Sequence, residues 1–216
     1  MRSGLFVLFA ILIGAGISLA ATNQVVNPGF EAGDGTSAQS WSFNAALGDL
    51  ASRSALRSHT GQYSLTFERH RGDDWGGGQC PSWRTENVRR WLVAAWVWTE
   101  ACSPVDHLYV RFFGEAGYVG QFGPELPANS GGWVFLYQLI EAPEGAATAD
   151  FSPQIRSLAP AKVWIDDVLV CPATEVEGLD EAELKTLVAS LAPQANSVLL
   201  GRSEERRVGK ECRSRW

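Results

Sequence analysis

The feature that most constrains this chain is a series of short apolar stretches, each closed by turn residues, running from about 23 to 170. Residues 62–68 alternate, with Tyr63, Leu65 and Phe67 on one face. Residues 107–113 alternate too, with Leu108, Val110 and Phe112 together. Stretches 91–99, 133–140 and 162–170 are aromatic or β-branched. Between them stand Pro28-Gly29, Asp34-Gly35, Gly72-Asp73-Asp74, Gly76-Gly77-Gly78 and Asn129-Ser130-Gly131-Gly132. Strand side chains point alternately to two faces, so frequent turns between such runs predict many short strands in two packed layers. No helical period of any length interrupts the region. The expected fold class is therefore all-β, a β-sandwich over 23–172.

The pattern then changes. Leu184, Leu187, Val188 and Leu191 recur at helical spacing, and Asp180 stands three residues before Glu183 as in a capping box. Pro193 closes the segment. This predicts one amphipathic helix at about 180–192. It can pack on the sandwich or join it to a following module, and we expect the linker role for 173–195. Asn196-Ser197-Val198-Leu199 then echoes Asn23-Gln24-Val25-Val26, so 196–201 reads as the start of a second, truncated module.

Both ends are unlike the middle. Arg2 precedes a fifteen-residue stretch from Leu5 to Leu19 that is apolar or small except for Ser18. Ser18 and Ala20 occupy the −3 and −1 positions of a small-residue cleavage site. The stretch is shorter than the roughly 20 apolar residues of a membrane helix and has the flanks of a secretory signal peptide, 1–20. An uncleaved anchor is the alternative. The expected location is secreted or cell-surface, with no membrane attachment after cleavage. At the other end, residues 202–216 resemble a translated sequencing adapter and are set aside from fold reasoning. The alternative is a basic tail. On the adapter reading the natural chain continues, so this is an N-terminal fragment with downstream domains covalently attached.

The full chain has 18 basic and 24 acidic residues. One basic residue lies in the leader, and six basic and three acidic residues lie in the tail; setting these aside leaves eleven basic, 21 acidic and a net charge of −10. That balance has no footprint for a phosphate backbone, so nucleic acid is not an expected partner. Eight of nine tryptophans remain, a surplus beyond core needs that suits stacking on ring-shaped ligands. Cys80, Cys102 and Cys171 remain; their spacing matches no zinc motif, and we expect one disulfide plus one buried thiol, with the pairing open.

Sequence patterns for catalysis are absent: there is no GxSxG, HExxH or P-loop. His59, His70 and His107 are scattered. Asp73-Asp74 and Asp166-Asp167 are acid pairs, but neighbours on a strand face opposite ways, so neither forms a dyad on this reading. No enzyme is expected within these residues.

The most informative constellation is Asn27-Pro28-Gly29-Phe30-Glu31-Ala32-Gly33 followed by Trp41, then Ser58-His59-Thr60-Gly61-Gln62-Tyr63-Ser64-Leu65, Gly131-Gly132-Trp133, and Val163-Trp164-Ile165-Asp166-Asp167-Val168. In this order these segments resemble carbohydrate-binding modules of the galactose-binding-like jelly-roll fold, the type attached to bacterial cellulases and xylanases. The resemblance covers about 23–171. It implies a structural calcium, held by Glu31 and Asp166 with carbonyls of Gly29, Thr60 and Tyr63, Asp167 being the alternate ligand. Calcium takes six to eight oxygens, and the meeting of first and last strands would bring these together. Carboxylates that only cap turns are the alternative.

The resemblance also implies an open sugar cleft. Trp75, in a polar glycine-rich stretch, is the expected stacking residue. Tyr118 and Phe122 occupy the comparable cleft strand, and Asp74, Gln79, Arg84 and Gln121 are the expected hydroxyl partners. Trp41, Trp133 and Trp164 are expected in the core; Trp96 and Trp98 share a strand face and are both core or both cleft. The expected function is non-catalytic binding of a neutral β-glycan, with a glycoside hydrolase as the candidate downstream domain. The alternative is a structural or adhesion module of the same fold.

Overall fold

A computed structural model describes residues 21–45, 49–70, 76–85, 87–156 and 160–191. The leader, residues 196–201 and the segment 202–216 lie outside the described residues, as do Asp73, Asp74 and Trp75.

Two antiparallel sheets face each other. One has the order β10 (Gly117–Phe122), β9 (His107–Gly114), β12 (Thr148–Ile155), β6 (Gly76–Gln79), β3 (Ser42–Asn44), with β7 (Trp83–Arg84) also paired to β12. The other has the order β11 (Val134–Glu141), β8 (Arg90–Glu100), β13 (Ala161–Pro172), β5 (Ser64–Arg69), β4 (Leu50–Ser54). A small ribbon, β1 (Gly33–Asp34) with β2 (Ser37–Ala38), follows the opening turn. The fold is an all-β sandwich with one helix, as the alternating sequence implies, of the jelly-roll kind that the resemblance implies.

The inner faces make the core. Leu65 and Phe67 of β5 meet Trp91, Val93, Ala95 and Val97 of β8 and, from the facing sheet, Leu108, Val110, Phe112 and Phe151. Trp41 is buried there, packed against Phe30 at 5.0 Å. The outer face of the second sheet carries another core. Leu92, Ala94, Leu169 and Cys171 are covered by Leu184, Leu187 and Val188 of helix α1 (Glu181–Leu191). The helix is thus seated on the sandwich, the first of the two roles weighed for it. Its capping box forms in full: Asp180 N–H donates to Glu183 Oε2 at 2.9 Å, and Glu183 N–H to Asp180 Oδ1 at 2.9 Å.

Three expectations are corrected. Cys80, Cys102 and Cys171 are all free and buried, so no disulfide joins them. Burial pushes each thiol up to about 12, which keeps them protonated and unreactive. Trp96 and Trp98 do share a face, but it is the outer face of the second sheet, neither inter-sheet core nor the face opposite. His59 stacks on Trp96 at 3.9 Å, and Arg57 lies over Trp98 at 3.9 Å and Trp164 at 4.3 Å. Trp133 meets Trp98 edge-on at 6.3 Å. Trp164 is buried, as expected, but in this outer aromatic layer and not between the sheets, and Trp133 beside it is only half-buried.

Candidate functional site

The outer face of the first sheet gathers most of the polar candidates. On β9, Leu108, Val110 and Phe112 point inward, so His107, Tyr109, Arg111 and Phe113 point out. On β12, Ala149 and Phe151 point in, leaving Thr148, Asp150 and Ser152 outward. Register then builds rows across the strands. Tyr118 pairs with Phe113, which pairs with Thr148, which pairs with Arg84. In the next row Gln121 pairs with Arg111, and Arg111 with Asp150.

The centre of this face is a fixed polar network. Arg111 donates from Nε to Asp150 Oδ1 and from Nη2 to Asp150 Oδ2, both at 2.8 Å, a bidentate pair. Gln79 Nε2 donates to Asp150 Oδ2 at 2.9 Å. Asp150 is wholly buried, and that burial raises its pKa, while the hydrogen bonds and charge of Arg111 oppose the rise. Beside the network, Tyr109 stacks on His107 at 4.7 Å, and Arg156 lies over the Tyr109 ring at 6.0 Å. His107 Nδ1 is buried without a hydrogen-bond partner. Tyr118 is 58% exposed, its ring against Phe113 at 6.1 Å.

The structure thus brings Gln79, Gln121 and Tyr118 to one face. Phe122 lies on the other side of β10: it pairs with Val110 and its ring meets Phe112 at 6.4 Å. Arg84 sits at the far end of its row and lines a recess with Thr22, Gln24, Trp91 and Glu175. Trp75 and Asp74 precede Gly76 of β6 in sequence and lie outside the described residues. Sequence reasoning missed Arg111, Asp150, Tyr109 and His107. The alternation of 107–113 contained the signal, since naming its apolar side also names the polar one.

The candidate metal residues meet at a second place, around the loop 58–63. Adjacent strand residues would face apart, but β13 shifts register between Asp166 and Leu169, and Asp167 adopts φ 48°. This bulge turns both carboxylates toward one loop, which corrects the opposite-face expectation. Asp166 Oδ2 accepts the His59 and Thr60 N–H groups at 2.7 and 3.2 Å, and its Oδ1 accepts Asp167 N–H at 2.8 Å. Asp167 contacts His59 Nδ1 at 2.7 Å and accepts Thr60 Oγ1 at 2.6 Å. Glu31 Oε1 accepts Gln62 and Tyr63 N–H at 2.8 and 2.9 Å. Gly29 is buried in the opening turn. Burial, then the neighbouring Asp167 charge, pushes Asp166 up to about 8. Among the described residues no group of three or more His, Cys, Asp or Glu is placed to hold a metal. Two buried, adjacent carboxylates do have the charge a divalent cation balances; their oxygens, as arranged, take N–H donors.

No family model and no curated protein matches the sequence. Among solved structures, an arabinose-bound family GH51 α-L-arabinofuranosidase aligns with TM-score 0.52 and 12% identity, over 72% of this chain and 27% of that one. A xylan-binding domain of family CBM22 aligns with TM-score 0.49 and 15% identity, over 71% and 96%. The enzymatically active domain of tailspike protein 4 of bacteriophage CBA120 aligns with TM-score 0.47 and 15% identity, over 62% and 19%. The chain thus spans less than a third of the arabinofuranosidase and the tailspike chain. At these identities the likeness is one of fold: a two-sheet β-sandwich module.

Proposed function

We propose that the chain is a non-catalytic module that binds a neutral polysaccharide on the outer face of its first sheet. The observation that carries this reading is the Arg111–Asp150–Gln79 network, set across three strands beside an exposed tyrosine. A sugar presents hydroxyls at its edge and C–H groups on its faces. The Arg111 guanidinium, fixed at 2.8 Å by the buried Asp150, has N–H donors left over for the edge, and the half-buried Gln79 and Gln121 add amide donors and acceptors. Tyr118, 58% exposed, offers a ring to the face. The guanidinium charge is already balanced by Asp150, which favours an uncharged ligand such as a xylan or glucan. Asp150 is held by Arg111 in an arrangement for binding rather than proton transfer. Trp75 is proposed to extend the stacking surface, and Asp74 to bond sugar hydroxyls.

In this reading the module is exported and tethers a larger protein, with a glycoside hydrolase as the natural cargo, raising effective concentration at the substrate. Among the described residues no helix is long and apolar enough to cross a membrane. Calcium is proposed on the charge of the buried Asp166–Asp167 pair, with Glu31 across the same loop; a bound cation there would tie the opening turn to the closing strand.

Affinity electrophoresis on a panel of neutral β-glycans and pectin tests the reading. The wild type should be retarded by a neutral glycan and not by pectin, because a strongly acidic module repels polyanions. Arg111→Ala and Trp75→Ala should each abolish retardation with an unchanged circular dichroism spectrum. A wild type retarded by no glycan would leave the structural or adhesion module.

A further inference from the structure

The start of the described chain is fastened to the end of the closing strand. Ala21 is 6% exposed and belongs to the second core with Leu92, Leu169 and Leu184. Thr22 N–H donates to Glu175 Oε2 at 2.6 Å, a carboxylate from the 3-10 turn (Ala173–Val176) that follows β13. Gln24 N–H donates to Val170 O at 2.8 Å. Asn23 Nδ2 donates to Val168 O at 2.7 Å, while its Oδ1 accepts Val170 N–H at 3.1 Å. The small-residue cleavage site read from Ser18 and Ala20 puts the scissile bond immediately before Ala21. The residue that this cleavage would expose is thus one packed and bonded into the fold.

We propose that hydrolysis of the Ala20–Ala21 bond creates a binding partner for Glu175. A peptidase of the export machinery adds water across the amide. Ala20 leaves as the carboxylate end of the leader, and Ala21 keeps the nitrogen as an ammonium. Consecutive Cα atoms are only about 3.8 Å apart, so this new cation forms one residue from an N–H that Glu175 already holds. The carboxylate then bonds a charged donor, a stronger contact than a neutral amide makes. The processed terminus is latched across the end of β13, over the core that α1 covers. The packed position of Ala21 leaves little room for a larger side chain. Arg84, which lines the same recess as Thr22 and Glu175, is the competing cation. The latch rests on the signal-peptide reading and is independent of sugar binding.

The test uses the full chain expressed with its leader in an exporting bacterium. Intact mass of the exported protein should place the N-terminus at Ala21. Wild type and Glu175→Gln are then melted in two forms, one beginning at Ala21 and one with Gly-Ser placed before it. Glu175→Gln should lower Tm by about 1–3 °C more in the first form than in the second. Equal losses in both forms would overturn the latch, because the carboxylate would then serve only the Thr22 N–H. A mature terminus at any other residue would overturn it as well.

Discussion

Arg53 shows how much of the fold can hang on a single buried side chain. It is 5% exposed, donates to the carbonyls of Phe30, Glu31 and Gly35, and lies over the Tyr63 ring at 3.1 Å. It therefore holds the opening turn, where Phe30 itself sits at φ 56°. Arg53→Ala leaves three carbonyls to find new donors and should cost about 3 kcal/mol, a fall in Tm of roughly 10 °C by calorimetry. Asp150 gives a pH prediction with two opposed signs. Its pKa is raised in the fold above the ordinary 3.8, first by burial. The folded state therefore binds the proton more readily than the unfolded chain, and this group's contribution to stability grows as pH falls through its folded pKa toward 3.8. The protonated acid, however, no longer balances Arg111, so glycan affinity should fall over the same range. Melts of wild type against Asp150→Asn should show wild type gaining relative stability on acidification, while affinity electrophoresis shows retardation declining. The three buried thiols, each up at about 12, should resist iodoacetamide in the native protein and react only after unfolding; mass spectrometry would count them, with Cys212 separately assigned.

Among elements, β13 is the most instructive. Val163 and Ile165 face the inter-sheet core, and so do Val168 and Val170, which a regular alternation would forbid. The bulge at Asp166 and Asp167 supplies the extra residue; both halves of the strand pair with β8, and only the first half pairs with β5 as well. The aromatic and β-branched run marked this segment as a strand without locating the bulge, because a bulge is set by what the partner strands and the loop 58–63 demand. The helix behaves likewise. Its period and capping box were readable from Asp180, Glu183 and the leucines, yet the choice between linker and cover depended on the apolar outer face of β8 and β13. Leu187→Ala should cost about 2–3 kcal/mol and lower Tm without weakening glycan retardation, because the helix covers the sheet opposite the candidate site. No change in Tm would mean the helix does not belong to the cooperative unit.

For the whole molecule, calcium and the tail give the broadest tests. Protein first loaded with calcium and then treated with chelator should melt lower, since a ligand held only by the folded state stabilises it; Asp166→Ala should remove the response. The same Tm with and without chelator would leave the N–H donors of the loop as the complete clamp. If 202–216 is adapter-derived, deleting it should leave Tm unchanged; a clear fall would make the segment part of the fold. The sequence by itself determined the all-β sandwich, five of its longer strands and the helix, because alternation, turn chemistry and capping act over a few residues. It also marked Glu31 and the Asp166–Asp167 pair as meeting near one loop through their resemblance to known modules. Only the tertiary structure decided that the tryptophans of β8 cover the outside of one sheet, and that Arg111, Asp150 and Gln79 converge on the outside of the other. Those residues are 32 to 71 positions apart, and their meeting is set by strand order and register, which depend on how two whole sheets bury their apolar faces together.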